Sequence, residues 1–390
     1  MLNGVWLRTL MEPFEPEELG APLTHASFFE VPLGFHLLSK TRSPRNTNGD
    51  LPCLRFTKKE HEMHLSVSRL TLTAGMAVTL VATALSVPAL AADRVPEGMG
   101  ILPSLAPQKA DNPITAAKVA LGQQLFFDPR LSASNMISCN TCHNLGTGGV
   151  DNQPTSLGHQ FKRGGRNAPT VFNSAFWSSE FWDGRAADVE AQAIGPILNP
   201  VEMAMPDEKS VLSKLAAIPG YKAQFEAVFG PSGLTYKNVG YAIGAFERTL
   251  VTPNAPFDRY VQGDDGAISD AAKRGMNLVD EIGCTSCHSG PLFTNNDFAQ
   301  FNYGKDKGRM EVTKNKGDDH YFRVQSWRNV ALTAPYFHDG SAPTLETAIR
   351  TMAKVQLDQD LNDAQVGDIK AFLEALTGDM PYVSYPKLPQ

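Results

Sequence analysis

Cys139-Asn140-Thr141-Cys142-His143 and Cys284-Thr285-Ser286-Cys287-His288 decide how this chain folds. Both read C-x-x-C-H, the attachment signature of a c-type haem. Thiols three positions apart can form thioethers with the two vinyl groups of one porphyrin. The adjacent histidine then reaches the iron as proximal ligand. A thioredoxin-like redox pair needs neither the histidine nor a twin, and a zinc site needs four ligands grouped together. The sequence therefore predicts two covalently bound haem c groups, one on Cys139, Cys142 and His143, the other on Cys284, Cys287 and His288.

The segments before the two motifs resemble each other. Gly122-Gln123-Gln124-Leu125-Phe126 precedes the first and Gly275-Met276-Asn277-Leu278-Val279 the second, both with helical character. After each motif a shared I-x-A-F-x-x-x-L pattern follows, at Ile243–Leu250 and again at Ile369–Leu376. Apolar residues at i, i+3 and i+7 make one face of an amphipathic helix. The expected fold is mainly α, with two cytochrome c-like haem domains in tandem and long haem-wrapping loops. The boundary falls near Val251-Thr252-Pro253-Asn254-Ala255-Pro256, where two prolines stop a helix, which gives domains 92–252 and 253–390.

The leading segment reads differently. Leu70–Leu90 is apolar, Arg69 supplies a positive flank, and Ala89-Leu90-Ala91 is an A-x-A cleavage site, so 63–91 reads as a signal peptide rather than a retained span. Residues 1–62 are Pro-rich and aperiodic, hold Cys53, and read as a non-native leader from a misassigned start, with synthesis beginning at Met63. The expectation is export to the periplasm without a membrane span in the mature form. A formal net charge of −6 is mild and carries no basic nucleic-acid footprint.

Export leaves His143, His159, His288, His320 and His338, two of them already proximal ligands. For the second haem, a methionine well downstream of the motif is the expected sixth ligand. Met310 sits in a charged loop and Met380 follows the closing helix. Met352 follows Thr344–Arg350 and precedes the closing helix, as a haem-ligand loop requires. The first half offers Met203, Met205 and His159, the last beside Gly158 with Gly164 and Gly165 nearby. Methionine ligation raises haem potential and bis-histidine ligation keeps it lower, so the two irons are expected to differ.

Three further stretches resemble signatures of the bacterial di-haem cytochrome c peroxidases: Leu125–Ser132, Phe181-Trp182-Asp183-Gly184-Arg185 and Pro335-Tyr336-Phe337-His338-Asp339-Gly340. The resemblance covers nearly the whole mature chain and implies an enzyme that reduces hydrogen peroxide. Electrons would come from a small cytochrome c or a blue-copper protein, entering at the His288/Met352 haem and passing to a peroxidatic haem in 92–252. It further implies His159 as the displaceable sixth ligand of that haem, Trp182 as an electron conduit between the haems, Glu202 as acid/base and Gln192 as its polar companion. Asn167, with the carbonyls of Thr333 and Pro335, resembles an inter-domain calcium site, and a homodimer is the family expectation. The alternative is a di-haem electron-transfer cytochrome without peroxidase activity. In the protein-modifying branch of this superfamily a tyrosine replaces the methionine ligand and a proline the inter-haem tryptophan, so Met352 and Trp182 argue against it.

Overall fold

Thr115, Thr235, Ser269 and Asn362 each stand at the start of a helix and accept a hydrogen bond from a backbone N–H three residues on, at Lys118, Asn238, Ala272 and Gln365. Such caps satisfy donors that a helix leaves unpaired at its N-terminus. The four helices they open form the two crossings on which the fold is built. The structure is a computed structural model that describes residues 94–390. The leader, Cys53 and the signal peptide expected over 1–91 lie outside the described residues.

The helices of nine or more residues are α1 (Ala116–Phe127), α2 (Val189–Leu198), α3 (Glu208–Ala216), α4 (Pro219–Phe229), α5 (Tyr236–Glu247), α6 (Asp270–Glu281), α7 (Leu345–Leu357) and α8 (Asp363–Glu374). Strand β1 (Phe298–Gln300) pairs antiparallel with β2 (Tyr321–Arg323), Phe298 opposite Arg323. The mainly helical architecture is as expected.

α1 crosses α5, and α6 crosses α8. At the first crossing a methyl on Gly122 would lie 1.8 Å from the Ala242 carbonyl oxygen, and at the second a methyl on Gly275 would lie 1.9 Å from that of Asp368. Only glycine lets two backbones approach this closely. The repeated I-x-A-F pattern begins one residue after each of those carbonyls, so the two crossings are built alike.

Each crossing anchors its own hydrophobic core. The first runs from Leu121 to Leu250 and includes Phe126, Tyr221 and Phe246; the second includes Phe257, Phe293, Phe372 and Leu376. Met203 and Met205, two methionines downstream of the first motif, are buried in the first core. The two ends of the described segment cross over. Val95 and Met99 pack on the second core, while Val383 packs on the first and Tyr385 lies 4.9 Å from the Phe127 ring. Arg328 pins the stretch around Gly100. It donates to Gly100 O at 2.8 Å and pairs with Asp258 through two bonds of 3.0 and 2.8 Å, both side chains almost wholly buried. Removing one partner of such a buried pair typically costs about 3–5 kcal/mol.

No helix among the described residues is long and apolar enough to cross a membrane.

Candidate active site: two cavities sharing a tryptophan wall

Cys139–Cys142 forms one short helical turn and Cys284–Ser286 another, so each motif ends with its histidine turned back over the cysteines. His143 Nδ1 lies 3.0 Å from the Pro169 carbonyl and His288 Nδ1 lies 3.1 Å from that of Phe293. A carbonyl can only accept, so Nδ1 carries the proton in each ring and Nε2 is left as the ligating atom. Burial pushes both imidazoles down in pKa, His288 to about 4, which keeps them in the neutral form that binds a metal. Burial pushes the thiols of Cys139, Cys142 and Cys284 up, the last two to about 11. Proximal residues of this chemistry fit a covalently attached haem in both places.

Each motif opens on a cavity. The one at the second motif, about 330 Å³, is lined by Cys284, Cys287 and His288 together with Met352, Ile349 and Leu373. Met352 lies within α7 rather than in a loop ahead of the closing helix. Thr344 caps that helix through the Thr347 N–H. Leu345, Ala348, Ile349 and Met352 then follow at helical spacing, which turns the thioether toward the cavity with the apolar face. The His288 ring stacks on Trp327 at 4.3 Å.

The cavity at the first motif, about 440 Å³, is lined by Cys142 and His143 and by several polar groups. Gln192 comes from α2, Glu202 from the turn after it, and Glu180, Arg185 and Glu247 join them. Asn199 Nδ2 donates to Glu202 Oε1 at 2.8 Å. Burial raises the Glu202 pKa, opposed by the positive charge of Arg185 and by that hydrogen bond. Glu180, 3% exposed, is pushed up to about 8 by burial, and Glu247 is pushed well above the carboxylate range for the same reason.

His159 is held by its backbone, which donates to the Glu202 carbonyl at 2.8 Å, while its ring is not among the residues lining either cavity. Gly158 packs so closely there that a methyl would lie 2.2 Å from Val201 O. Trp182 lines both cavities, and its indole N–H donates to Asn167 O at 2.9 Å. Asn167, Thr333 and Pro335 share the wall of the second cavity, where Asn167 Nδ2 donates to Gln153 O. The neighbouring Asn152 amide reaches the carbonyls of Leu332 and Ala334 at 3.2 and 2.8 Å. His338 stacks on Phe322 at 4.3 Å and lies edge-on to Trp182.

Sequence reasoning missed four residues of these walls: Trp177, which lines both cavities, together with Glu180, Glu247 and Arg323. Glu247 stands inside the helical repeat and Trp177 and Glu180 just ahead of Trp182. Proximity to a signature was the one signal available for the last two.

A mainly helical protein with two C-x-x-C-H turns, each facing its own cavity, is a di-haem c-type cytochrome in class. The sequence profile of di-haem cytochrome c peroxidases matches residues 116–266. The cytochrome c551 peroxidase of Nitrosomonas europaea is 46% identical over 291 residues, covering 73% of this chain and 86% of that protein. The enzyme of the same name from Pseudomonas aeruginosa is 44% identical over 300 residues, covering 74% and 86%. The fold is similar to the crystal structure of the diheme peroxidase BthA from Burkholderia thailandensis E264, with a TM-score of 0.61 at 19% identity over 76% of this chain and 98% of that one. The chain belongs to the di-haem cytochrome c peroxidase family. Its reaction class is that of a peroxidase, and haem c is the cofactor the family implies.

Proposed function

We propose that the two cavities divide the labour of peroxide reduction, H2O2 + 2 e⁻ + 2 H⁺ → 2 H2O. The cavity of His143 is the peroxide site, and the cavity of His288 and Met352 receives electrons from a small redox protein, a cytochrome c or a blue-copper protein. One observation carries the assignment: Glu202 and Gln192 line the cavity of His143, Met352 lines that of His288, and Trp182 lines both. Haem, when bound, supplies one-electron redox chemistry and, in the first cavity, a coordination position for peroxide.

The residues of the chain handle the protons. Glu202 takes a proton from one peroxide oxygen and delivers it to the other, which leaves as water when the O–O bond breaks; the remaining oxygen takes up the two electrons and two protons and becomes the second water. Such positioned transfers contribute on the order of 10²–10⁴-fold. Asn199 holds one carboxylate oxygen in place, and Gln192 offers an amide to the same space. Trp182, fixed through Asn167, is the conduit between the cavities. His159, its backbone tied to that of Glu202, would be the displaceable ligand once its ring, outside the cavity lining here, turns into the first cavity.

Domains 92–252 and 253–390 follow the two cores, with the terminal segments exchanged between them. Asn167 and the carbonyls of Thr333 and Pro335 would hold one calcium ion, since hard oxygen donors from both halves suit that cation. Periplasmic location and a homodimer complete the reading. The decisive experiment is potentiometric titration followed by peroxide addition to the half-reduced protein. Two separated midpoints and rapid oxidation of a reduced small cytochrome c are expected; full reduction without peroxide turnover would leave an electron carrier instead.

A further inference from the structure

We propose that Arg323 anchors a propionate carboxylate of the haem in the His288 cavity and that its charge raises that haem's reduction potential. The proposal rests on the reading of this cavity as a haem site.

Two arginines stand in the wall of the cavity, and both are buried, at 1% and 2% exposure for Arg323 and Arg328. Their surroundings differ. Arg328 is matched by the two carboxylate oxygens of Asp258. Arg323 has no ion pair among the described residues. Its Nε donates to Phe181 O at 3.3 Å and its Nη2 to Gln325 Oε1 at 3.0 Å, while Nη1 is buried with no partner. The guanidinium lies 4.0 Å over the Trp177 ring, which fixes its plane.

An isolated buried cation is among the most costly features a fold can carry. The acidic group acting on it is Glu180, which lines the other cavity. Glu180 forms no ion pair with it among the described residues, and burial pushes that carboxyl up to about 8, so the arginine charge is left unmatched. Burial correspondingly draws the guanidinium down to about 10. A carboxylate arriving with the cofactor answers the mismatch, because haem c carries two propionates and a guanidinium fork suits a carboxylate.

The site also bears on the tryptophans. The Arg323 backbone N–H donates to Trp182 O at 2.8 Å and the side chain holds Phe181 O. A propionate on Nη1 would thus tie one haem edge to the segment carrying Trp182 and to the face of Trp177. Arg323 is a positioning residue in this account.

The test uses the holoprotein, with Arg323→Gln and Arg323→Lys. Haem is counted first. Fewer than two haems per parent chain would overturn the haem reading itself, independently of Arg323. With two haems present, Arg323→Gln is expected to shift the reduction equilibrium of the His288 haem at least tenfold toward the ferric state, about 59 mV for one electron, and more than that of the other haem. An unchanged midpoint in loaded Arg323→Gln overturns the anchor. Arg323→Lys keeps the charge and loses the fork, so the midpoint should move less than tenfold while the propionate bending band in the resonance Raman spectrum shifts. An unshifted band overturns the contact, and this arm decides the matter should Arg323→Gln fail to load haem.

Discussion

The two cavities share a proximal side and differ on the distal one. In both, a C-x-x-C-H turn follows a glycine-notched helix crossing and a carbonyl fixes the histidine through Nδ1. Beside His288 the cavity is lined by an apolar helix face carrying Met352; the cavity of His143 is lined by Glu202, Gln192, Arg185 and Glu180. The proximal half can be repeated because holding a cofactor poses the same problem twice. The distal half sets the chemistry: an apolar wall with one thioether suits an electron store, while a wall of carboxylates and amides suits proton transfer to a small polar substrate.

The comparison breaks most readily at Glu202. Glu202→Gln keeps the shape and removes the base, so peroxide turnover is expected to fall about 10²–10⁴-fold with haem content unchanged. Because burial raises the pKa of Glu202, the acid limb of kcat/KM should lie above the ordinary carboxylate range in the parent and vanish in the variant. Normal turnover by Glu202→Gln would strip the polar wall of its role.

On the other side, Met352→His should lower the midpoint of the second haem by more than one power of ten in its reduction equilibrium, at about 59 mV for each. Spectra of the reduced haem check the ligand change directly. If the midpoint stays put, Met352 is core filler and the asymmetry lies elsewhere.

The shared scaffold can be tested by a matched pair. Gly122→Ala and Gly275→Ala each force a methyl into a carbonyl of the partner helix. Each should lower stability by about 1–3 kcal/mol, measurable by denaturant unfolding, with similar losses if the crossings are equivalent. A large loss at one and none at the other would show that the likeness is only in sequence.

The smallest effect concerns Glu180. A carboxyl raised to about 8 from its ordinary value of 4.5 binds more protons in the folded state than in the unfolded one. Its contribution is fully present below about pH 4.5 and is lost as pH rises toward 8, by up to about 1.4 kcal/mol per pH unit. Glu180→Gln should flatten that decline, and an unchanged pH profile of unfolding would show that Glu180 is ionised in the fold.

What the sequence determined by itself was local. A thioether needs two thiols at fixed spacing and a histidine beside them, and an apolar stripe at i, i+3 and i+7 marks a helix, so both haem motifs and the repeated helices were legible; the glycines at which those helices cross were not. The family signatures singled out Trp182 and Glu202, but not what would surround them. Tertiary structure alone put Met352 on a helix and exchanged the chain ends between the cores. It also left His159 outside both cavity linings, with its backbone tied to Glu202. Arg328 and Arg323 look alike as residues. That one is matched by Asp258 and the other is not depends on every element packed around them, because the energy of a buried charge is set by its neighbours in space rather than in sequence.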